Sequence, residues 1–147
     1  MMEGIVDIYM PDFKYWSKER SQKYLNAKNY PEAARTVIKE MHRQIGDLAF
    51  DENGLAKHGV LLRHLVMPDG LKDAENIMEF LAEEISPNTY VNIMDQYFPS
   101  GKVSEKKYQE INRHPHSNEL ETVEKLARQK GLQRFDQLAV WHCAIFK

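Results

Sequence analysis

Acids, bases and amides interrupt apolar runs at three places, and these are the residues whose types and spacing could do chemistry. In "VDIYMPDFKYW", Val6 to Trp16, an acid and a base, Asp12 and Lys14, flank Phe13 at the end of an apolar run. Arg63 stands inside "GVLLRHLVM", Gly59 to Met67, and Asn92, Met94 and Gln96 alternate through "TYVNIMDQY", Thr89 to Tyr97. A charge inside an apolar strand needs a partner, because desolvating it alone costs several kcal/mol or more. Asp7 is a candidate partner for Arg63, as a structural ion pair between neighbouring strands. Alternatively the planar fork of Arg63 is free to take a carboxylate or phosphate. By strand alternation His64 points to the opposite face from Arg63, which suits a satisfied core or interface histidine. Asn92, Met94 and Gln96 share one face and Val91, Ile93 and Asp95 the other. If the first set lines an interior, that interior is mixed and polar. It is then either a ligand site or a buried amide network.

Three buried strands must carry these residues: Gly4 to Met10, Gly59 to Met67 and Thr89 to Tyr97. Their nearly continuous apolar character fits parallel strands covered on both faces. Helical patterns lie between and after them. Ser17 to Ala27 is polar and helical in composition. From Pro31, the residues Ala34, Val37, Ile38, Met41 and Ile45 recur at three- and four-residue steps until Gly46. Asp73 to Ile85 repeats the pattern, and Asn118 with Glu121 resembles a capping box for a helix that stops at Gly131. "DENG", from Asp51, reads as the turn of a small hairpin, and Gln133 to Asp136 as a short last strand. Strand and helix thus alternate, which predicts an α/β protein with a mainly parallel sheet, right-handed crossovers and flanking helices. Ligands of such folds bind beyond the C-terminal ends of the strands, where Asp12, Lys14, Pro68, Asp69 and Asp95 to Tyr97 gather.

The bulk numbers bound the possibilities. The 147 residues suit one ordinary domain, and 42% hydrophobic residues can build its core. A net charge of −2 and a pI near 6.3 give no electrostatic footprint for nucleic acid or an anionic membrane. No signal peptide or membrane-length apolar run is visible, and the one cysteine, Cys143, points to a reducing cytoplasm. Weaker signals have bland readings. "RHPHS", Arg113 to Ser117, joined with His142 and Cys143 could be imagined as a zinc site, but reads as a solvated loop. Tyr97, Phe98 and Tyr108 are rim packing or the lining of a substrate channel. Lys102, Lys106 and Lys107 read as a solvated face.

Taken together and in this order, "VDIYMPDFKYW", "GVLLRHLVMPDG" and "SPNTYVNIMDQYFPSGKV" resemble the C-terminal half of radical S-adenosylmethionine (SAM) proteins. The resemblance is to the branch similar to pyruvate formate-lyase activating enzymes and runs over residues 4–136. It implies the C-terminal half of a partial (β/α) barrel and the cofactors of that family, SAM and a [4Fe-4S] cluster. The cluster reduces SAM to a 5′-deoxyadenosyl radical, which takes a hydrogen from the substrate, for activating enzymes a glycine of a partner protein. The resemblance places Asp12, Lys14, Arg63, Asn92, Met94 and Gln96 at cofactor-binding positions. It also places Met10 and Asp12 where some relatives help bind a monovalent cation. Gln96 stands where the activating enzymes carry a SAM-contacting histidine.

The chain departs from this family in one large respect. The C-x3-C-x2-C motif whose thiolates hold the cluster is absent, and Cys143 is alone. The glycine-rich segment that follows an earlier strand is absent too. A full barrel runs to about 250 residues, so three main strands make about half. The chain is therefore expected to be the C-terminal part of a radical SAM protein starting at an internal Met, the product of a split or truncated gene, with residues 137–147 an apolar tail that reads as an extra strand, an interface or an out-of-frame extension. Such a half would contribute SAM and substrate surface and not be active alone. Its partners would be a cluster-bearing N-terminal half, a protein substrate, or a second copy meeting its open sheet edges. The rival expectations are a non-catalytic half-barrel module for interaction or small-ligand binding, and a decayed remnant.

Overall fold

The computed structural model of the chain describes residues 4–136. In chain order it contains β1 (Ile8–Tyr9), α1 (Lys18–Leu25), α2 (Tyr30–Ile45), β2 (Ala49–Phe50), β3 (Ala56–Leu65), α3 (Leu71–Phe80), β4 (Tyr90–Met94), α4 (Ser117–Gln129) and β5 (Arg134–Phe135). A π-helical turn, Leu81–Ile85, prolongs α3, and a short 3-10 turn, Gln109–Ile111, precedes α4. The class is mixed α/β with a mainly parallel sheet flanked by helices.

The sheet runs β1-β3-β4-β5, every pair parallel, with β2 antiparallel against the start of β3. Each new parallel strand is added on the same side of the one before, with no reversal of order. Right-handed crossovers in that order put all the helices on one face, and burial agrees. Leu62, Val66, Val91 and Ile93 from the sheet form one core with Ile38 of α2, Ile77 and Met78 of α3, and Val123 and Ala127 of α4. The alternate residues Leu61, Arg63, Leu65, Tyr90, Asn92 and Met94 are only half-buried. Coverage of both faces, expected from the apolar runs, is thus replaced here by one covered face and one partly open face.

Local signals explain the elements. The Ser17 hydroxyl accepts the Arg20 N–H at the start of α1, and Asn26 closes that helix in the left-handed region. Pro31 lies in the first turn of α2 and Gly46 ends it with φ 68°. Asp51 Oδ1 accepts the N–H groups of Asn53 and Leu55, which builds the expected hairpin turn. The first strand is shorter than the apolar run, and the third ends at Met94 rather than Tyr97. The expected capping box at Asn118 and Glu121 is displaced: α4 starts at Ser117, and Glu119 Oε2 accepts the His116 N–H. Glu119 prevails because Arg113 and the Asp69 N–H hold its carboxylate in place. The apolar tail 137–147, with His142 and Cys143, lies outside the described residues.

Candidate functional site

Phe13 explains the acid and base beside it. Its ring is fully buried among Trp16, Tyr30 and Phe80, with centroids 6.0–6.3 Å away. Its main chain is fixed as firmly. Arg63 N–H donates to Pro11 O and Phe13 N–H to Arg63 O, both at 2.9 Å, extending the β1–β3 pairing past Tyr9. The Tyr30 hydroxyl accepts the Lys14 N–H at 3.0 Å and donates to Asp12 O at 3.2 Å. From the covered face His64 Nδ1 bonds Phe13 O at 2.7 Å. His64 is therefore the satisfied core histidine expected. Burial lowers its pKa to about 4, so it stays neutral and donates through Nδ1. With Phe13 anchored inward, Asp12 is left on the open face of the sheet.

There Asp12 lies in register with Arg63, and Arg63 with Asn92. Three polar residues thus form a row across β1, β3 and β4. Arg63 Nε donates to Asp12 Oδ1 at 2.7 Å, and Lys14 Nζ stands 3.4 Å from Asp12 Oδ2. This corrects the expected pairing of Arg63 with Asp7. Asp7 is exposed ahead of β1, while the parallel register carries Asp12 to Arg63. Arg63 commits only Nε. Among the described residues its two terminal nitrogens have no hydrogen-bond partner, nor has the Asn92 amide. An anion in front of this row would meet a half-exposed guanidinium edge, an ammonium and an amide.

The remaining predicted residues fall around the row. Met94 shares its face, in register with Leu65 at the C-terminal end of β3. Gln96 is exposed beyond β4. Met10 is on the same face of β1, 55% exposed. Both Asp12 oxygens already face cationic side chains, so a monovalent cation at Met10 and Asp12 would compete with Lys14.

Sequence reasoning missed the network that fixes the rim. Arg113 donates through Nη1 to Glu119 Oε2 at 2.6 Å and through Nη2 to Glu119 Oε1 at 3.0 Å. The Arg113 guanidinium and the backbone donors hold the Glu119 carboxyl at a pKa of about 2. Glu119 also accepts the Asp69 N–H, and Asp69 is a non-glycine residue at φ 55° in the loop after β3. From the other side Arg20 donates to the carbonyls of Pro68 and Asp69 and pairs with Asp73 at 3.3 Å. The available signal was a glutamate three residues after His116, at the position that reaches back to a helix start.

Beside the row, at the same rim, lies a cleft of about 200 Å³ lined by Lys14, Tyr15, Leu65, Met67, Tyr97 and Phe98. Next to it Tyr24 stacks on Tyr15, with centroids 5.6 Å apart, and meets Tyr108 edge to face at 5.5 Å. Tyr97 and Phe98 thus line a cleft, while Tyr108 and Lys102 line its outward continuation of about 310 Å³. Lys106 and Lys107 are exposed. In "RHPHS", His114 packs edge-on against Phe98, and no group of three metal-binding side chains occurs among the described residues. No described helix is long and apolar enough to cross a membrane.

The fold and site define an α/β protein with a polar row on the open face of a parallel sheet. Among curated proteins the chain is similar to the uncharacterized protein MJ0674 of Methanocaldococcus jannaschii, 34% identical over 133 residues. The match takes in 90% of this chain and 34% of that protein, so the chain spans about a third of its relative's length. No family model matches, and no solved structure matches.

Proposed function

We propose that the chain is the C-terminal part of a radical SAM enzyme resembling the pyruvate formate-lyase activating proteins, its sheet the C-terminal half of a partial (β/α) barrel. One observation carries the reading: Asp12, Arg63 and Asn92 align on the uncovered face at the C-terminal ends of parallel strands laid down in chain order. Strands in that order with helices outside are what a barrel requires, and the uncovered face would be its interior. The relative's length, about three times the matched span, leaves room for the rest of a barrel.

The residues present fit one cofactor and not the other. SAM brings a carboxylate and a sulfonium. The free edge of Arg63 and the Lys14 ammonium would hold the carboxylate, Asn92 would offer its amide, and Asp12 would orient both cations. Met94 would pack beside them and Gln96 would close the rim. The cluster finds no such donor set, since three thiolates are needed and the sequence has one cysteine. The chemistry the cluster supplies, reductive cleavage of SAM, therefore belongs to a separate cysteine-bearing part.

The test is anaerobic iron–sulfur reconstitution of this chain alone and mixed with a C-x3-C-x2-C half from a full-length relative. Formation of 5′-deoxyadenosine only in the mixture, and its loss with Arg63→Ala, is the expected result. A mixture that forms a cluster and a complex yet cleaves no SAM would overturn the catalytic reading. The second reading, a non-catalytic half-barrel module for binding or interaction, is favoured by the single cysteine together with the exposed Ile5, Met10, Phe50 and Leu55. A stable, cluster-free homodimer would support it.

A further inference from the structure

We infer that the lip formed by α1 and the loop after β4 is a docking surface for an acidic peptide segment of a partner protein, one apolar side chain of which enters the outer cleft between Tyr24 and Tyr108. Charge is the first observation. Residues 17–28 and 98–113 together carry eight cationic and three anionic side chains, a net +5 in a chain of net −2. The fold brings the two segments together. Tyr24 OH donates to Glu110 Oε1 at 2.6 Å, and its ring meets Tyr108 edge to face at 5.5 Å. Four of the cations are committed: Lys18 to Glu32, Arg20 to Asp73, Lys23 to Glu110 and Arg113 to Glu119. Lys28, Lys102, Lys106 and Lys107 have no carboxylate partner among the described residues, and the unpaired acids of the same segments are Glu19 and Glu105. Such a surplus of free ammonium groups attracts an anionic segment.

The second observation is the cleft these lysines border. Its volume of about 310 Å³ is walled by Tyr24, Leu25, Val103, Tyr108 and Ile111, with Lys102 at its edge and no carboxylate in the lining. Leu25 is 42% exposed there, and Phe98 is exposed in the adjoining cleft. Tyr108 stands at φ 60° and ψ 42°, a left-handed conformation that costs a bulky residue about 1–2 kcal/mol. Glycine would make that turn without the penalty, so the ring, not the turn, accounts for a tyrosine there. Lys107 Nζ lies 4.9 Å from the centre of that ring. The loop holds this shape through turns from Ser100 to Val103 and from Ser104 to Lys107, and Tyr97 OH donates to Ile111 O at 3.0 Å. A nucleic acid fits the lip less well. Its extended backbone would meet the net −7 carried by the other residues of the chain, whereas a short acidic segment ends within the lip. No residue of the lip is assigned to SAM, so the inference stands without that chemistry.

The probe is a blocked peptide, Asp-Glu-Asp-Phe-Glu-Asp-Glu, titrated into the full chain at low salt and followed by amide and methyl NMR shifts. The expected result is saturable binding in the millimolar range or tighter, with shifts at Tyr24, Leu25, Val103 and Tyr108, and a several-fold loss at about 0.3 M salt. Replacing the peptide's Phe by Ser keeps the charge and should weaken binding about fivefold. Lys102→Glu combined with Lys106→Glu, both changes at exposed side chains, should weaken it about tenfold. Tyr108→Gly, which suits the backbone, should weaken the Phe peptide and leave the Ser peptide unchanged. Absence of saturable binding, affinity indifferent to both the Phe and the two lysines, or shifts confined to another surface would overturn the inference. Equal or tighter binding of an oligothymidylate of the same charge at the same residues would overturn it in favour of nucleic acid. These readouts use neither a cluster nor SAM, so they are separate from failure of SAM cleavage.

Discussion

His64 and Arg63 are adjacent in the chain, and the sheet sends them to opposite fates. Arg63 is half-exposed on the open face, so its pair with Asp12 is screened by solvent and contributes little to stability, on the order of 1 kcal/mol or less. His64 is enclosed, and its pKa of about 4 makes it a stability group. The sign follows from the depressed value. Above pH 6.5 the imidazole is neutral both folded and unfolded. As pH falls from about 6.5 towards 4, the unfolded chain takes up a proton that the folded one refuses. His64 should therefore reduce stability by up to roughly 3 kcal/mol across that window, and not above it. Glu119, held at about 2, loses its contribution only as the pH drops below the ordinary carboxylate range. Urea unfolding at pH 7 and pH 5 should show a loss for the parent chain that His64→Gln largely abolishes. A parent whose stability is flat between those values would contradict the assignment of a buried neutral imidazole.

At the scale of elements, two short segments decide whether the polar row exists. One is the turn from β1 into α1, held by the Tyr30 hydroxyl on both sides of Phe13. Tyr30→Phe removes two hydrogen bonds while keeping the ring against Phe13, so it should cost about 1–2 kcal/mol. The Lys14 amide should then exchange faster with solvent than in the parent, and unchanged exchange would show that the hydroxyl is not what holds it. The other segment is the crowded start of β3. Gly59 sits at φ 115°, and a Cβ there would run into the backbone of Asp47 and Leu48. Gly59→Ala should destabilise by about 3 kcal/mol or more, read as a lowered denaturation midpoint, because both the conformation and the space are forbidden.

These elements also show what was legible beforehand. The runs around Ile8, Leu62 and Val91 and the stripes of α2 and α3 are local patterns, so the α/β class could be read directly. The residues that meet across strands could not. Asp7 and Asp12 are both plausible partners for Arg63 in the sequence, and only the parallel register, set by how the crossover packs, selects Asp12. Likewise the sequence favours Glu121, three residues after Asn118, as the capping glutamate, and only Arg113 and the loop after β3 make it Glu119 instead.

For the whole molecule, the open side of β1 is the most consequential surface. In the parallel pairing with β3, Pro11 O and Phe13 N–H face Arg63, so the alternate amides of Met10 and Asp12 point away from the sheet. A strand edge left this way is a template for another strand. If the sheet is part of a barrel, the preceding strand must come from elsewhere and must bond to these amides. Hydrogen–deuterium exchange by NMR offers a direct check. In the chain alone Met10 and Asp12 should exchange quickly, while the amides of Leu62 and Val91, inside the β3–β4 pairing, exchange slowly. On adding the cysteine-bearing half of a relative, both edge amides should become protected, together with the half-buried face carrying Arg63 and Asn92. Protection elsewhere with fast exchange at Met10 and Asp12 would mean that the partner does not continue this sheet. The polar row would then face solvent in the assembled protein too, and the barrel reading would fail even if the two chains bind.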